Sequence, residues 1–208
     1  MRLLSHSHAA HENRENQDHI ESRRVGNRRL VALADGQGGR AGGALASRIA
    51  VQSALDWLEK VPGDFDTHTL QTAISVADEA VEAQNEAGYS TLILLVCEQN
   101  QIVGASVGDS LALHITPTTQ SELTGHQRKN PPIGSSAALG TPFSAQPQAG
   151  EQILLMSDGV FRFASLEAIA RTCRASEDLD VLLNLLNLQK RSETGALPDD
   201  WSAILLRF

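Results

Sequence analysis

The stretch Thr91-Leu92-Ile93-Leu94-Leu95-Val96-Cys97, Glu98-Gln99-Asn100-Gln101, Ile102-Val103-Gly104-Ala105-Ser106-Val107 reads as two strands joined by a short polar connection. Four polar residues between two apolar runs predict an antiparallel hairpin. Side chains alternate between the faces of a strand, so five apolar residues in succession, Leu92 to Val96, need cover on both sides. Shorter runs at 30–34, 111–115, 152–156 and 203–208 read as further strands. Four helices are expected. In 67–84, Leu70, Ala73, Ile74, Ala77 and Val81 share one face behind a cap at Asp66 or Thr67, and 42–60 carries Leu45, Ile49, Val51, Leu55 and Leu58. A short helix is read at 166–174. In 176–190, Leu179, Leu182, Leu183 and Leu186 recur behind Ser176, with Glu177 and Asp178 at the positive end of the helix dipole. Two helices follow one group of strands and two follow another, which predicts packed sheets with helices outside rather than a regular strand–helix alternation.

The chain has 208 residues, 17 Lys+Arg against 25 Asp+Glu, and a net charge of −8. This length predicts one domain, residues 1–208. Hydrophobic residues at 41% and charged residues at 20% exclude a disordered chain and a coiled coil. The acidic balance argues against nucleic acid or an anionic membrane as main partner, since both demand a basic surface. No apolar run approaches membrane-span length, and Cys97 and Cys173 alone make no disulfide framework, so a reducing cytoplasmic setting is expected. Residues 116–150, with five prolines and no period, read as a loop excursion beside the site.

The informative pattern is where aspartates fall. Leu30 to Ala34 runs into Asp35-Gly36-Gln37-Gly38-Gly39, Ile153 to Met156 into Ser157-Asp158-Gly159, and Ser106-Val107-Gly108 into Asp109; Asp199-Asp200 precede the last strand. One Asp-Gly after a strand is commonly a turn. Several acids at the ends of apolar strands would instead meet at one rim and repel unless cations lie between them. Carboxylates without His or Cys partners suit Mg²⁺ or Mn²⁺ rather than zinc, and two such ions roughly 4 Å apart activate a water for attack on phosphate. Gly36 would let the backbone approach an ion closely.

Asn16-Gln17-Asp18, Asp35-Gly36-Gln37-Gly38-Gly39, Gly88-Tyr89-Ser90-Thr91, Val107-Gly108-Asp109-Ser110, Ala138-Leu139-Gly140, Ser157-Asp158-Gly159-Val160-Phe161 and Asp199-Asp200-Trp201-Ser202 stand in the order found in the metal-dependent protein phosphatases of the 2C type, which the chain resembles over nearly its whole length. The resemblance implies an α+β fold, a four-layer α/β/β/α sandwich of two mainly antiparallel sheets flanked by helices. It implies two Mg²⁺ or Mn²⁺ ions. Asp35 would bridge them, Asp158 and Asp199 would complete the first, and Asp18 with the carbonyl of Gly36 would serve the second. Asp109 with Asp158 matches the position of a third ion in bacterial members. The implied reaction is hydrolysis of phosphoserine or phosphothreonine by a metal-bridged water, on a phosphoprotein that is the target of a serine/threonine kinase, by a monomeric enzyme.

Three departures stand out. The family's phosphate-gripping Arg falls at Asn13, with Arg14 one residue nearer the Asn16 motif: either Arg14 keeps the role or the clamp is lost. Gln37 replaces the His that eukaryotic relatives carry as general acid, and an amide has no proton to give at neutral pH. Gln17 stands at an acidic position of those relatives, and Asp200 where Asn is usual. His6, His8 and His11 are read as exposed, His126 as a solvated loop residue and Trp201 as a core or rim aromatic. The rival to an active enzyme is a phosphatase-like module that binds a phosphorylated partner without hydrolysing it, which a lost clamp would favour and intact carboxylates oppose.

Overall fold

A computed structural model describes residues 1–11, 14–37, 42–63, 65–178, 180–189 and 196–208. Among the described residues, ten strands form two antiparallel sheets. One has the order β1 (Arg2–His8), β10 (Trp201–Arg207), β9 (Gln152–Met156), β6 (Leu111–Ile115), β7 (Gln120–Glu122). The other runs β2 (Asp18–Val25), β3 (Arg28–Asp35), β4 (Leu92–Glu98), β5 (Gln101–Val107), β8 (Thr141–Ala145).

The alternation along each central strand distributes its side chains between two layers. From β3, Leu30, Ala32 and Ala34 pack under α1 (Gly43–Leu58) and α2 (Thr67–Glu82), whereas Val31 and Leu33 face the other sheet. From β10, Ala203 and Leu205 pack under α4 (Leu166–Ala175) and α5 (Val181–Leu186), and Ile204 and Leu206 join the layer between the sheets. The result is the expected α/β/β/α sandwich with three apolar layers. Both α1 and α2 lie close to their expected bounds, and Asp66 caps α2 by accepting from the Thr69 N–H at 2.8 Å.

Several local expectations are corrected. Glu98 and Gln101 pair in the ladder, so the hairpin turns on Gln99 and Asn100, with Gln99 at φ 55. The helix read at 176–190 is only α5: Ser176 instead ends α4, and Asp178 leaves the helix dipole to bind Arg207 at 2.6 Å and Arg2 at 2.5 Å. Val181, Leu185 and Leu186 form its buried face while Leu183 is exposed; Leu179 lies outside the described residues. Residues 116–150 are not merely loop, since they supply β7 and β8. Pro142 is tolerated because β8 is an edge strand. Gly104 opposite Phe143 makes this edge possible: a Cβ there would meet the Phe143 ring at 2.2 Å. No described helix is long and apolar enough to cross a membrane.

Candidate active site

Antiparallel order carries the acids to one rim of both sheets. Asp18 begins β2 and faces Asp35, the last residue of β3, in register. Thr91 precedes β4 and Gly108-Asp109 follow β5; on the other sheet, Ser157-Asp158 follow β9 and Asp199-Asp200 precede β10. A cleft of about 740 Å³ opens there, with Asp35, Asp109, Asp158, Asp199 and Asp200 in its wall beside Arg14, Gln37, Lys129 and Arg162. Asp18 and Gly36 are buried behind that wall.

The Gly88 to Thr91 segment holds Asp35 by its backbone. Thr91 N–H donates to the Asp35 carbonyl at 2.9 Å, Thr91 Oγ1 accepts from the Asp35 N–H at 2.9 Å, and Ser90 Oγ donates to the same carbonyl at 3.0 Å. Gly36 has a more immediate reason to be glycine than the approach of an ion. A Cβ there would meet the Gly43 carbonyl oxygen at 2.2 Å and that of Gln17 at 2.8 Å, where the end of β3 passes the start of α1. Gly38 and Gly39 of the same motif lie outside the described residues.

A chain of hydrogen bonds ties Asp18 to the opposite sheet. Ser157 Oγ donates to Asp18 Oδ2 at 2.7 Å and accepts from the Ser202 N–H at 3.0 Å. Ser202 and Ser7 share a hydroxyl contact of 2.7 Å, Asn16 donates to Ser7 at 2.6 Å, and Asn16 Oδ1 accepts from the Asp18 N–H at 2.9 Å. The remaining oxygen, Asp18 Oδ1, is buried and has no partner.

The electrostatics of the rim are unfavourable without a cation. Burial raises the Asp18 carboxyl to about 7, with the serine donors opposing and Asp200 adding to the rise. Burial also raises Asp35, reinforced by repulsion from Asp18, Asp158, Asp199 and Asp109, to about 10. Asp158 is raised by burial, with Arg162 the main opposing influence. Part of the negative charge is already matched: Arg162 Nη1 lies 2.7 Å from Asp199 Oδ2 and 3.6 Å from Asp158 Oδ2, and Lys129 Nζ lies 2.5 Å from Asp109 Oδ2. Arg14 differs: it is exposed on the cleft wall, and among the described residues its side chain makes no ion pair or hydrogen bond. Asn13 lies outside the described residues.

The unusual Asp200 is accounted for by the backbone. Its two oxygens accept from the Ala10 N–H at 2.7 Å and the Gln17 N–H at 2.8 Å, pinning the segment that carries Arg14 to the start of β10. On the far wall, the buried Asp78 of α2 accepts from the N–H groups of Gly134, Ser135, Ser136 and Ala138 at 2.6–3.3 Å. Ile133, at the head of that loop, exchanges backbone hydrogen bonds with Ser90, so the latch reaches the residues around Asp35.

Of the histidines, His11 lines the cleft and His126 is exposed, but His6 is half-buried against Trp201 with ring centroids 5.9 Å apart, not exposed as expected. Trp201 itself is fully buried core. Sequence reasoning missed Ser157, Ser202 and Ser7, whose partners are far away in the chain. Arg162 follows Asp158 by four residues, a spacing that brings the two together once the structure winds Asp158–Phe161 into a one-turn helix, which the sequence reading did not expect.

Among the described residues the acids do not close into a ready three-ligand shell. They nonetheless fit a hard divalent cation: the donors are oxygens throughout, carboxylates with the Gly36 carbonyl, Asp18 and Asp35 are raised by burial and by repulsion from neighbouring acids, and Asp18 Oδ1 is buried without a hydrogen-bond partner among the described residues.

Comparisons with known proteins agree with this geometry. The serine/threonine phosphatase stp of Listeria innocua is 27% identical across 76% of this chain and 78% of its own length. The catalytic domain of the serine/threonine protein phosphatase PstP in complex with two manganese ions superimposes with a TM-score of 0.79 at 21% identity, covering 98% of this chain and 96% of that one. The Mycobacterium tuberculosis phosphatase PstP/Ppp gives 0.81 at 22% identity, over 100% and 99% of the two chains. At these identities the structures establish the shared fold. The profile of the protein phosphatase 2C family matches residues 6–193, and the chain belongs to that family.

Proposed function

We infer that the chain is a serine/threonine protein phosphatase that hydrolyses phosphomonoesters on proteins. The observation that carries this is the set of carboxylates gathered from the ends of β3, β5 and β9 and the approach to β10 onto one cleft, with Asp18 of β2 buried behind it, more acids than the cleft's own cations match. Asp35, Asp158 and Asp199 would hold one Mg²⁺ or Mn²⁺ and Asp35, Asp18 and the Gly36 carbonyl another, with Asp109 and Asp158 facing a third position. Bound there, the ions supply charge to the phosphate oxygens and lower the pKa of an attacking water.

The protein's own part is to bind, orient and exclude. The Arg14 guanidinium, unpartnered on the wall, suits a phosphate and grips it through two N–H groups. Asp200 keeps Arg14 in reach by fixing the backbone on either side of it, at Ala10 and Gln17. Ser90 and Thr91 hold the Asp35 backbone so that its carboxylate meets its ligand without reorganisation. Gln37, exposed at the rim, gives the leaving oxygen no proton, so hydrolysis favours good leaving groups. The binding-module alternative needs a lost clamp, and the position of Arg14 weighs against it. We further propose a monomeric, cytoplasmic enzyme that opposes a serine/threonine kinase.

Phosphate release from a phosphothreonine peptide tests this directly. Turnover with Mn²⁺ that disappears with EDTA is expected; tight binding of the peptide with no release under any divalent ion would establish the binding module instead.

A further inference from the structure

The cations inside the cleft are unequal. Arg14 has no side-chain partner among the described residues, whereas Arg162 is committed to Asp199 Oδ2 at 2.7 Å and to Asp158 Oδ2 at 3.6 Å. Those are the two acids that, with the shared Asp35, are assigned to the first ion; Asp158 also faces the third position. The backbone of Arg162 is fixed, its N–H donating to the Asp158 carbonyl at 2.8 Å at the end of a one-turn helix, α3 (Asp158–Phe161). Its side chain is 53% exposed and has solvent to swing into.

We propose that Arg162 is a built-in competitor for the divalent ion at Asp158 and Asp199, so that guanidinium and ion exclude one another and this side chain sets the concentration at which the first ion site fills. This rests on the metal reading above. A guanidinium spreads one charge over a plane, and an ion carries two on a compact centre. An ion in contact with Asp199 Oδ2 would lie within a few ångströms of Arg162 as it stands, and like charges at that range repel. Filling the site therefore requires the guanidinium to leave. The exchange is feasible because a half-exposed ion pair contributes only about 1 kcal/mol or less. Lys129 repeats the arrangement on Asp109 with a 73%-exposed ammonium, at the position assigned to a third ion.

The test is Mn²⁺ titration, by calorimetry and thermal melting, of EDTA-treated wild type, Arg162→Ala and Arg162→Lys. Arg162→Ala should bind the first Mn²⁺ about three- to tenfold more tightly than wild type, and Arg162→Lys should fall between. In EDTA, Arg162→Ala should melt lower than wild type, because the acids lose their counter-ion. In saturating Mn²⁺ the two should melt together. Equal or weaker Mn²⁺ binding by Arg162→Ala overturns the proposal, as does the same loss of melting temperature with and without the ion, which marks an ordinary structural ion pair. Wild type that binds no Mn²⁺ removes the metal reading and this inference together; wild type that binds while Arg162→Ala gains nothing removes the inference alone.

Discussion

The same strands lead two lives. In their middles, Val31, Leu33, Ile93, Leu95, Ile153, Leu155 and Ile204 fill the layer between the sheets, all fully buried and all apolar. A few residues along, at the rim, Asp18, Asp35 and Asp158 are held in partial or full burial against one another. The first region stabilises the fold by removing apolar surface from water. The second opposes folding, because each carboxylate loses hydration and faces like charges. A cation bound to the folded state offsets that opposition by mass action. The apolar layer is the scaffold that makes a repulsive rim affordable, and the two regions should respond to mutation in opposite ways.

The largest effect expected is at the rim. Asp35→Asn should lower kcat/KM on a phosphothreonine peptide with Mn²⁺ by at least about a thousandfold. It should also raise the melting temperature in EDTA, since an amide folds there without the cost of protonating a carboxylate that burial and its acidic neighbours disfavour. An active-site variant that loses activity and loses metal-free stability together would break the contrast. In the scaffold, Leu95→Ala should destabilise the protein by about 2–5 kcal/mol in denaturant melts, with or without Mn²⁺, because a fully buried leucine leaves a cavity.

A pH series separates the regions without mutation. The raised carboxyls of Asp18 and Asp35 bind more protons folded than unfolded, between the ordinary 3.8 and their folded values of about 7 and about 10. Folding stability therefore falls as pH rises through that window. Between pH 7.5 and 8.5, above the ordinary histidine value of 6.5 and below the ordinary cysteine value of 9.0, the EDTA-treated protein should lose several degrees of melting temperature, and saturating Mn²⁺ should flatten the trend. A metal-free melting temperature that climbs over this interval would contradict the electrostatics described for the rim.

Asp200→Asn should have the smallest effect. An amide keeps one acceptor oxygen for the two N–H groups of Ala10 and Gln17, so stability should fall by about 1 kcal/mol. KM for phosphopeptide should rise modestly as the Arg14 segment loosens.

The scaffold was legible in the sequence where strands are covered twice, because β3, β4, β9 and β10 each carry an unbroken apolar run, at 30–34, 92–97, 153–156 and 203–206. It was not legible at the edges. β2 reads Asp-His-Ile-Glu-Ser-Arg-Arg-Val, with little to bury, and β8 contains Pro142; both sit at sheet borders where pairing with a neighbour, not composition, makes the strand. The Leu-rich run that ends in α5 overstated a helix because Asp178 is more strongly drawn to Arg207 and Arg2 than to the helix end. At the site, the acids declared themselves by ending strands. Their supports did not: Ser157 meets Asp18 across 139 residues and Ser7 meets Ser202 across 195, and no local pattern encodes such pairs. The family resemblance supplied the ion assignments, but it held no hint of Arg162 sitting on two of the acids.

Calorimetric titration of Mn²⁺ into the EDTA-treated chain and into Asp35→Asn tests the central claim, that the rim is a charge deficit built to be filled. Wild type should take up at least two ions saturably, with a rise in melting temperature, and Asp35→Asn should lose most of that binding while remaining folded. No saturable uptake by wild type, or equal uptake by Asp35→Asn, would contradict it.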